Sequence, residues 1–124
     1  MIRVTAFNHV SVLVSDTARA LAFYHDVLGL PLSPERPALA FPGAWLELGQ
    51  GRQIHLLELE GAGRGATDRH GGRDYHLALE IADLDAASAA LQAAGIDFTL
   101  SRSGRRALFC RDPDGNAIEL VESR

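Results

Sequence analysis

A weak internal repeat limits the fold of this chain more than any other feature. Aligned on His9 and His76, the two halves keep their punctuation in register. Asp16 lies seven residues after His9, and Asp83 seven after His76. Gly29 lies twenty after the first histidine, and Gly95 nineteen after the second. Ile54-His55-Leu56 closes the first half, and Ile118-Glu119-Leu120 closes the second. One small α+β unit, used twice, accounts for the pattern.

Each unit reads strand, helix, strand, strand, strand. In residues 8–16, Val10, Val12 and Val14 point one way while His9, Ser11 and Leu13 point the other, the signature of a half-buried strand. Ser15 or Asp16 can cap a helix whose apolar stripe is Ala20, Phe23, Tyr24 and Val27. Gly29 suits the left-handed C-cap position, and Pro31 prevents the helix from resuming. Extended pieces follow, broken by Pro34, Pro37, Pro42 and Gly43, with the best strands at 45–48 and 53–59. In the second unit, 74–81 is a strand with Leu77, Leu79 and Ile81 on one face. Asp83 is a helix N-cap, Ala87, Leu91 and Ala94 mark the helix face, and Gly95 ends it. Strands at 98–100, 107–110 and 117–121 complete the unit, with a type I turn at Asp112-Pro113-Asp114-Gly115. A single domain is expected, with units at about 4–59 and 74–122. The glycine-rich segment 60–73 reads as a flexible linker or a mobile loop over a site.

Bulk properties narrow the function. With 47% hydrophobic and 23% charged residues, the chain has the balance of an ordinary globule. Twelve Lys+Arg stand against sixteen Asp+Glu, so there is no basic stripe to neutralise a nucleic-acid backbone. No apolar run approaches the ~18 residues of a membrane span, and residues 1–9 lack the apolar core of a signal peptide. The lone Cys110 cannot form an internal disulfide, and a cytoplasmic protein is expected. Cys110 itself reads as a small buried hydrophobe. The linker glycines do not sit between a strand and a helix, which removes the phosphate-loop readings.

The candidate chemistry lies on the strands. One helix covers one sheet face, and the valines of the first strand belong under it. His9 then faces the uncovered, concave side. The same parity puts His55 opposite Ile54 and Leu56, His76 opposite Leu77 and Leu79, and Glu119 opposite Ile118 and Leu120. Singly, each could be a satisfied or half-exposed side chain. Jointly, at matching places in a repeat, they point to a shared divalent cation, because buried imidazoles and carboxylates are costly without a partner. Nitrogen and oxygen ligands without cysteine suit Zn²⁺, Mn²⁺, Fe²⁺, Co²⁺ or Ni²⁺. His9, His76 and Glu119 alone would form a two-histidine, one-carboxylate triad. His25 and His70 read as solvated surface residues, and Trp45 and Phe41 as core or groove wall. Arg64, Arg69 and Arg73 are either solvated or a cationic lid for a carboxylate-bearing substrate.

These residues resemble the vicinal oxygen chelate superfamily of glyoxalase I, methylmalonyl-CoA epimerase, extradiol dioxygenases and the fosfomycin and bleomycin resistance proteins. The likeness covers almost the whole chain. It rests on Asn8-His9-Val10, Phe23-Tyr24 through Leu28-Gly29-Leu30, Ile54-His55-Leu56, Tyr75-His76-Leu77 and Asp112-Pro113-Asp114-Gly115-Asn116-Ala117-Ile118-Glu119-Leu120. The resemblance implies paired βαβββ units forming a cupped mixed sheet around one divalent metal, with ligand positions at His9, His55, His76 and Glu119. It also implies a homodimer, with the metal site either within one chain or across two. One position departs from glyoxalase I, which usually has a carboxylate where this chain has His55. That exchange leaves a more electrophilic metal, assigns proton transfer to His55 or Glu119, and sets the chain apart from an ordinary lactoylglutathione lyase.

Three functions are therefore expected candidates. The first is a glyoxalase-type lyase or isomerase, in which a metal binds two neighbouring oxygens of a small substrate and stabilises an enediolate. His55 would be a fourth ligand or the base. The second is an Fe²⁺-dependent extradiol-type dioxygenase on the same residues. The third is a metal-free small-molecule binding or antibiotic resistance protein.

Overall fold

The computed structural model describes residues 1–65, 67 and 69–123. Ala66 and Asp68 of the glycine-rich segment therefore lie outside the described residues. Two compact units are present, Met1–Ala62 and Gly63–Arg124.

Unit one begins with β1 (His9–Val14) and α1 (Thr17–Leu21), followed by a π-helical turn over Ala22–Val27. Then come β2 (Gly43–Gly49) and β3 (Arg52–Glu58), in the sheet order β1-β3-β2. β1 runs parallel to β3, and β2 antiparallel to it. The strand parity read from the sequence holds in β1, where Val12 and Val14 are buried while Leu13 is exposed. Ala20, Phe23, Tyr24, Leu46, Ile54 and Leu56 complete this core.

Two features of unit one differ from expectation. The helix widens after Leu21, and the Leu28 N–H donates to the Phe23 carbonyl five residues back at 2.9 Å. In this wider turn the adjacent Phe23 and Tyr24 are both buried, their rings edge to face at 4.9 Å. The fourth strand is reduced to a single bridge, Leu32 to Leu46. Pro31, Pro34 and Pro37 lack the N–H groups that a longer ladder needs.

Unit two has β4 (His76–Ile81), α2 (Leu84–Ala93), β5 (Phe98–Leu100), β6 (Ala107–Arg111) and β7 (Ala117–Glu122). Its sheet order is β4-β7-β6-β5, with β4 parallel to β7 and the other pairs antiparallel. Leu91, Leu108, Ile118 and Leu120 lie in its core. At the β6–β7 turn, Gly115 N–H donates to the Asp112 carbonyl at 3.0 Å, as a type I turn requires. Gly115 has φ +88°, and a Cβ there would collide with the Gly65 carbonyl oxygen. Arg64 N–H also donates to the Asp114 carbonyl at 2.7 Å. This part of the glycine-rich segment is thus a strap packed on unit two.

The repeat extends to helix capping. Asp16 accepts from Arg19 N–H and Asp83 from Ala86 N–H, both at 3.0 Å. A second carboxylate meets the first turn of each helix from the end of a strand. Glu58 accepts from Thr17 N–H at 2.7 Å, and Glu122 from Leu84 N–H at 2.8 Å. Glu58 follows His55 by three residues, as Glu122 follows Glu119. Among the described residues no helix is long and apolar enough to cross a membrane.

Candidate functional site

Unit one brings two of the four candidate ligands together. β3 is the central strand, and Ser11 of β1 and Trp45 of β2 are the register partners of His55. His55 is therefore flanked on both sides. Its ring stacks on His9 at 4.0 Å between centroids with 17° between planes, and on Trp45 at 3.9 Å with 2°. His55 is buried while His9 is exposed. Burial, and next the nearby His9, lower the His55 pKa from its ordinary value.

The ring edges are also engaged. His9 Nδ1 lies 2.6 Å from Asn8 Oδ1, an acceptor, so Nδ1 carries the proton and the neutral ring keeps its lone pair on Nε2. His55 Nε2 lies 2.8 Å from Gln53 Oε1. An imidazole binds a metal along its ring plane, at about 2 Å from the nitrogen. Two nearly parallel planes stacked this far apart cannot both pass through one ion. In this arrangement a given ion can take a lone pair from His9 or from His55, but not from both.

Unit two brings the other two together. His76 Nε2 is 3.9 Å from Glu119 Oε2. His76 Nδ1 donates to the Asp74 backbone carbonyl at 2.9 Å, which leaves the Nε2 lone pair toward the carboxylate in the neutral ring. A lone pair facing a buried carboxylate oxygen is repulsive unless a proton or a cation lies between them. His76 and Glu119 thus fit one edge of a divalent site. The other oxygen, Glu119 Oε1, accepts from Arg105 Nη2 at 2.9 Å. Phe109, the β6 partner of Glu119, sets its ring edge to face against His76 at 5.1 Å. Among the described residues no cluster of three His, Cys, Asp or Glu is gathered at one point.

A salt-bridge pair supports His76 from behind. Asp74, whose carbonyl holds the imidazole, accepts from Arg64 at 2.8 Å and Arg111 at 2.9 Å. Hydrogen bonds from Arg111 and then Arg64 hold its carboxyl down at about 2. Arg64 is therefore paired, contrary to the expectation that it is merely solvated. Arg64, Arg69, Arg73, Arg111 and His70 line a cavity of about 340 Å³, where Asp74 is the only acid among the described lining residues.

The remaining candidates separate clearly. His70 is half-buried, with Nδ1 2.6 Å from Thr99 Oγ1 and its ring against Phe109, so the expectation of a solvated histidine is corrected. His25 is exposed and donates to the Leu30 carbonyl. Burial pushes the Cys110 thiol up to about 12, which makes it inert. Phe41 is exposed under the Arg36 guanidinium and is not core. Sequence reasoning missed Gln53, Arg105 and Asp74. For Gln53 a signal existed, since it shares strand parity with His55 two residues on.

Comparison with known proteins agrees with this architecture. The family model described as Glyoxalase/Bleomycin resistance protein/Dioxygenase superfamily matches residues 6–120. Glyoxylase I 4 of Arabidopsis thaliana is 32% identical over 127 residues, covering 96% of this chain and 71% of that protein. The lactoylglutathione lyase of Haemophilus influenzae is 30% identical over 123 residues, covering 94% and 91%. Among solved structures, TnmS3, an antibiotic binding protein from Streptomyces sp. CB03234, superposes with a TM-score of 0.74 at 25% identity over 100% of both chains.

Proposed function

Because the chain belongs to the Glyoxalase/Bleomycin resistance protein/Dioxygenase superfamily, we propose that it is a divalent-metal-dependent lyase or isomerase of the glyoxalase type. The observation that carries this reading is the His76 Nε2 edge turned toward the buried Glu119 carboxylate. His9, His76 and Glu119 would hold the cation, and His55, stacked on His9 and so unable to share its ion, would be the base. A cation held there acts as a Lewis acid on two neighbouring substrate oxygens. The chain's own residues do the rest. Asp74 orients His76, and Arg105 compensates charge on Glu119. Phe109 and Trp45 provide apolar walls beside His76 and His55. A carboxylate on the substrate would be met by the guanidiniums of Arg64, Arg69, Arg73 and Arg111. The working form would be a dimer.

Elemental analysis of the purified protein, then of His76→Ala, tests this reading. One divalent ion per chain in the parent and its loss in the variant are expected. A parent without stoichiometric metal, or a variant that binds it equally well, ends the proposal. Oxygen uptake supported by Fe²⁺ alone would move the chemistry to the dioxygenase class.

A second reading has an observation of its own. The parallel stack of His9, His55 and Trp45 suits a flat ligand as well as it suits catalysis, and TnmS3 is an antibiotic binding protein. Tight binding of an aromatic ligand to chelator-treated protein, with no turnover on metal addition, would favour that reading.

A further inference from the structure

We infer that Gln53 locks His55 in the tautomer protonated on Nε2, so that His55 acts as a base through Nδ1 alone. This rests on the proposed function and deepens it by naming the nitrogen of His55 that acts and the residue that fixes it.

The orientation of the Gln53 amide follows from its surroundings. Gln53 Nε2 lies 3.0 Å from Glu47 Oε1, 3.2 Å from Glu35 Oε2 and 3.3 Å from Ser33 Oγ. Two carboxylates can only accept, so the nitrogen end of the amide must face them. The oxygen end is then the atom 2.8 Å from His55 Nε2. An amide oxygen is an acceptor, and the Nε2 of His55 must therefore donate. Both residues are only 8% exposed, so water competes little for these bonds.

The consequence is a directed imidazole. Its faces are covered by His9 and Trp45, and its Nε2–H is committed. Nδ1 has no hydrogen-bond partner among the described residues. With Nε2–H committed to Gln53, the lone pair of the ring lies on Nδ1, where it is available to take a proton. Gln53 is thus a positioning residue, with Glu35 and Glu47 fixing the amide from behind.

Nitrogen-15 NMR of the histidine rings in chelator-treated protein tests the assignment. His55 should show a protonated Nε2 and an unprotonated Nδ1, and Gln53→Met should give a mixture of tautomers. A parent ring protonated on Nδ1, or an even mixture, overturns the inference without any variant. So does a Gln53→Met protein that folds and keeps the parent tautomer. If Gln53→Met fails to fold, Glu47→Gln tests the anchor, and the Nε2–H signal should broaden or shift. Titration with Zn²⁺ separates this inference from the metal reading. Coordination shifts on His9 and His76 but not on His55 support both. A coordination shift on His55 overturns the inference alone. No shift on any ring ends the metal reading and the base role with it, leaving only the tautomer lock supported by the first arm.

Discussion

Arg105 reaches from an exposed loop and places its guanidinium 2.9 Å from Oε1 of Glu119, a carboxylate whose side chain is 3% exposed. Removing the guanidinium leaves that carboxylate buried with one oxygen uncompensated. Arg105→Met should destabilise the metal-free protein by about 1–3 kcal/mol, read by urea denaturation. A cation at Glu119 would supply the missing charge, so saturating Zn²⁺ should shrink the difference. An equal difference with and without Zn²⁺ would show that no cation takes over the charge compensation of Glu119.

Asp74 sets an acid limit. Its folded-state pKa lies at about 2, below the 3.8 of the free side chain, so the folded form binds the proton less readily. The stabilisation is fully present above pH 3.8 and is lost as pH falls through about 2. Asp74→Asn should therefore flatten stability against pH in that window and leave the slope near neutrality unchanged. The same variant loosens the Arg64 and Arg111 pairs that hold residue 74 in place, and so should disturb the His76 ring, whose Nδ1 rests on the residue 74 backbone carbonyl. Thermal unfolding at a series of pH values and the His76 NMR signals would show both effects.

Two glycines with left-handed backbones separate strain from collision. Gly95 has φ +70° and open space where a Cβ would go, whereas a Cβ on Gly115 would meet the Gly65 carbonyl oxygen. Gly95→Ala should cost about 1 kcal/mol for the backbone conformation alone. Gly115→Ala should cost more and should loosen residues 63–65. Denaturation midpoints order the two variants, and equal costs would remove the strap from the account.

The strand-borne carboxylates at the helix starts should act locally. In Glu58→Ala the Thr17 amide should exchange faster, and in Glu122→Ala the Leu84 amide should do so. Each variant should leave the other helix unaffected. Hydrogen exchange by NMR reads both amides in one experiment.

The sequence carried the local rules well. Strand parity placed His9 opposite the buried valines, and Asp16, Asp83, Gly29 and Gly95 fall at the helix ends that their chemistry favours. These are contacts within a few residues, where backbone geometry decides. The four candidate ligands were legible as two pairs for the same reason. Their surroundings were not. The bond from Arg105 to Glu119 spans a hairpin, and the two carboxylates on Gln53 arrive from β2 and from a loop eighteen residues away. Such partners depend on register and side-chain reach, which periodicity does not encode. Residues 31–37 failed in another way. Their extended character was clear, but prolines removed the donors that would have made them a strand.

Trp45 is the chain's sole tryptophan, and its indole lies flat on His55. The protein therefore carries an intrinsic optical gauge over that imidazole. Emission collected from an unlabelled sample will dim or shift whenever the neighbouring ring gains charge, tilts away or is covered by a guest. A single cuvette can follow events at His55 as they happen, without a turnover assay.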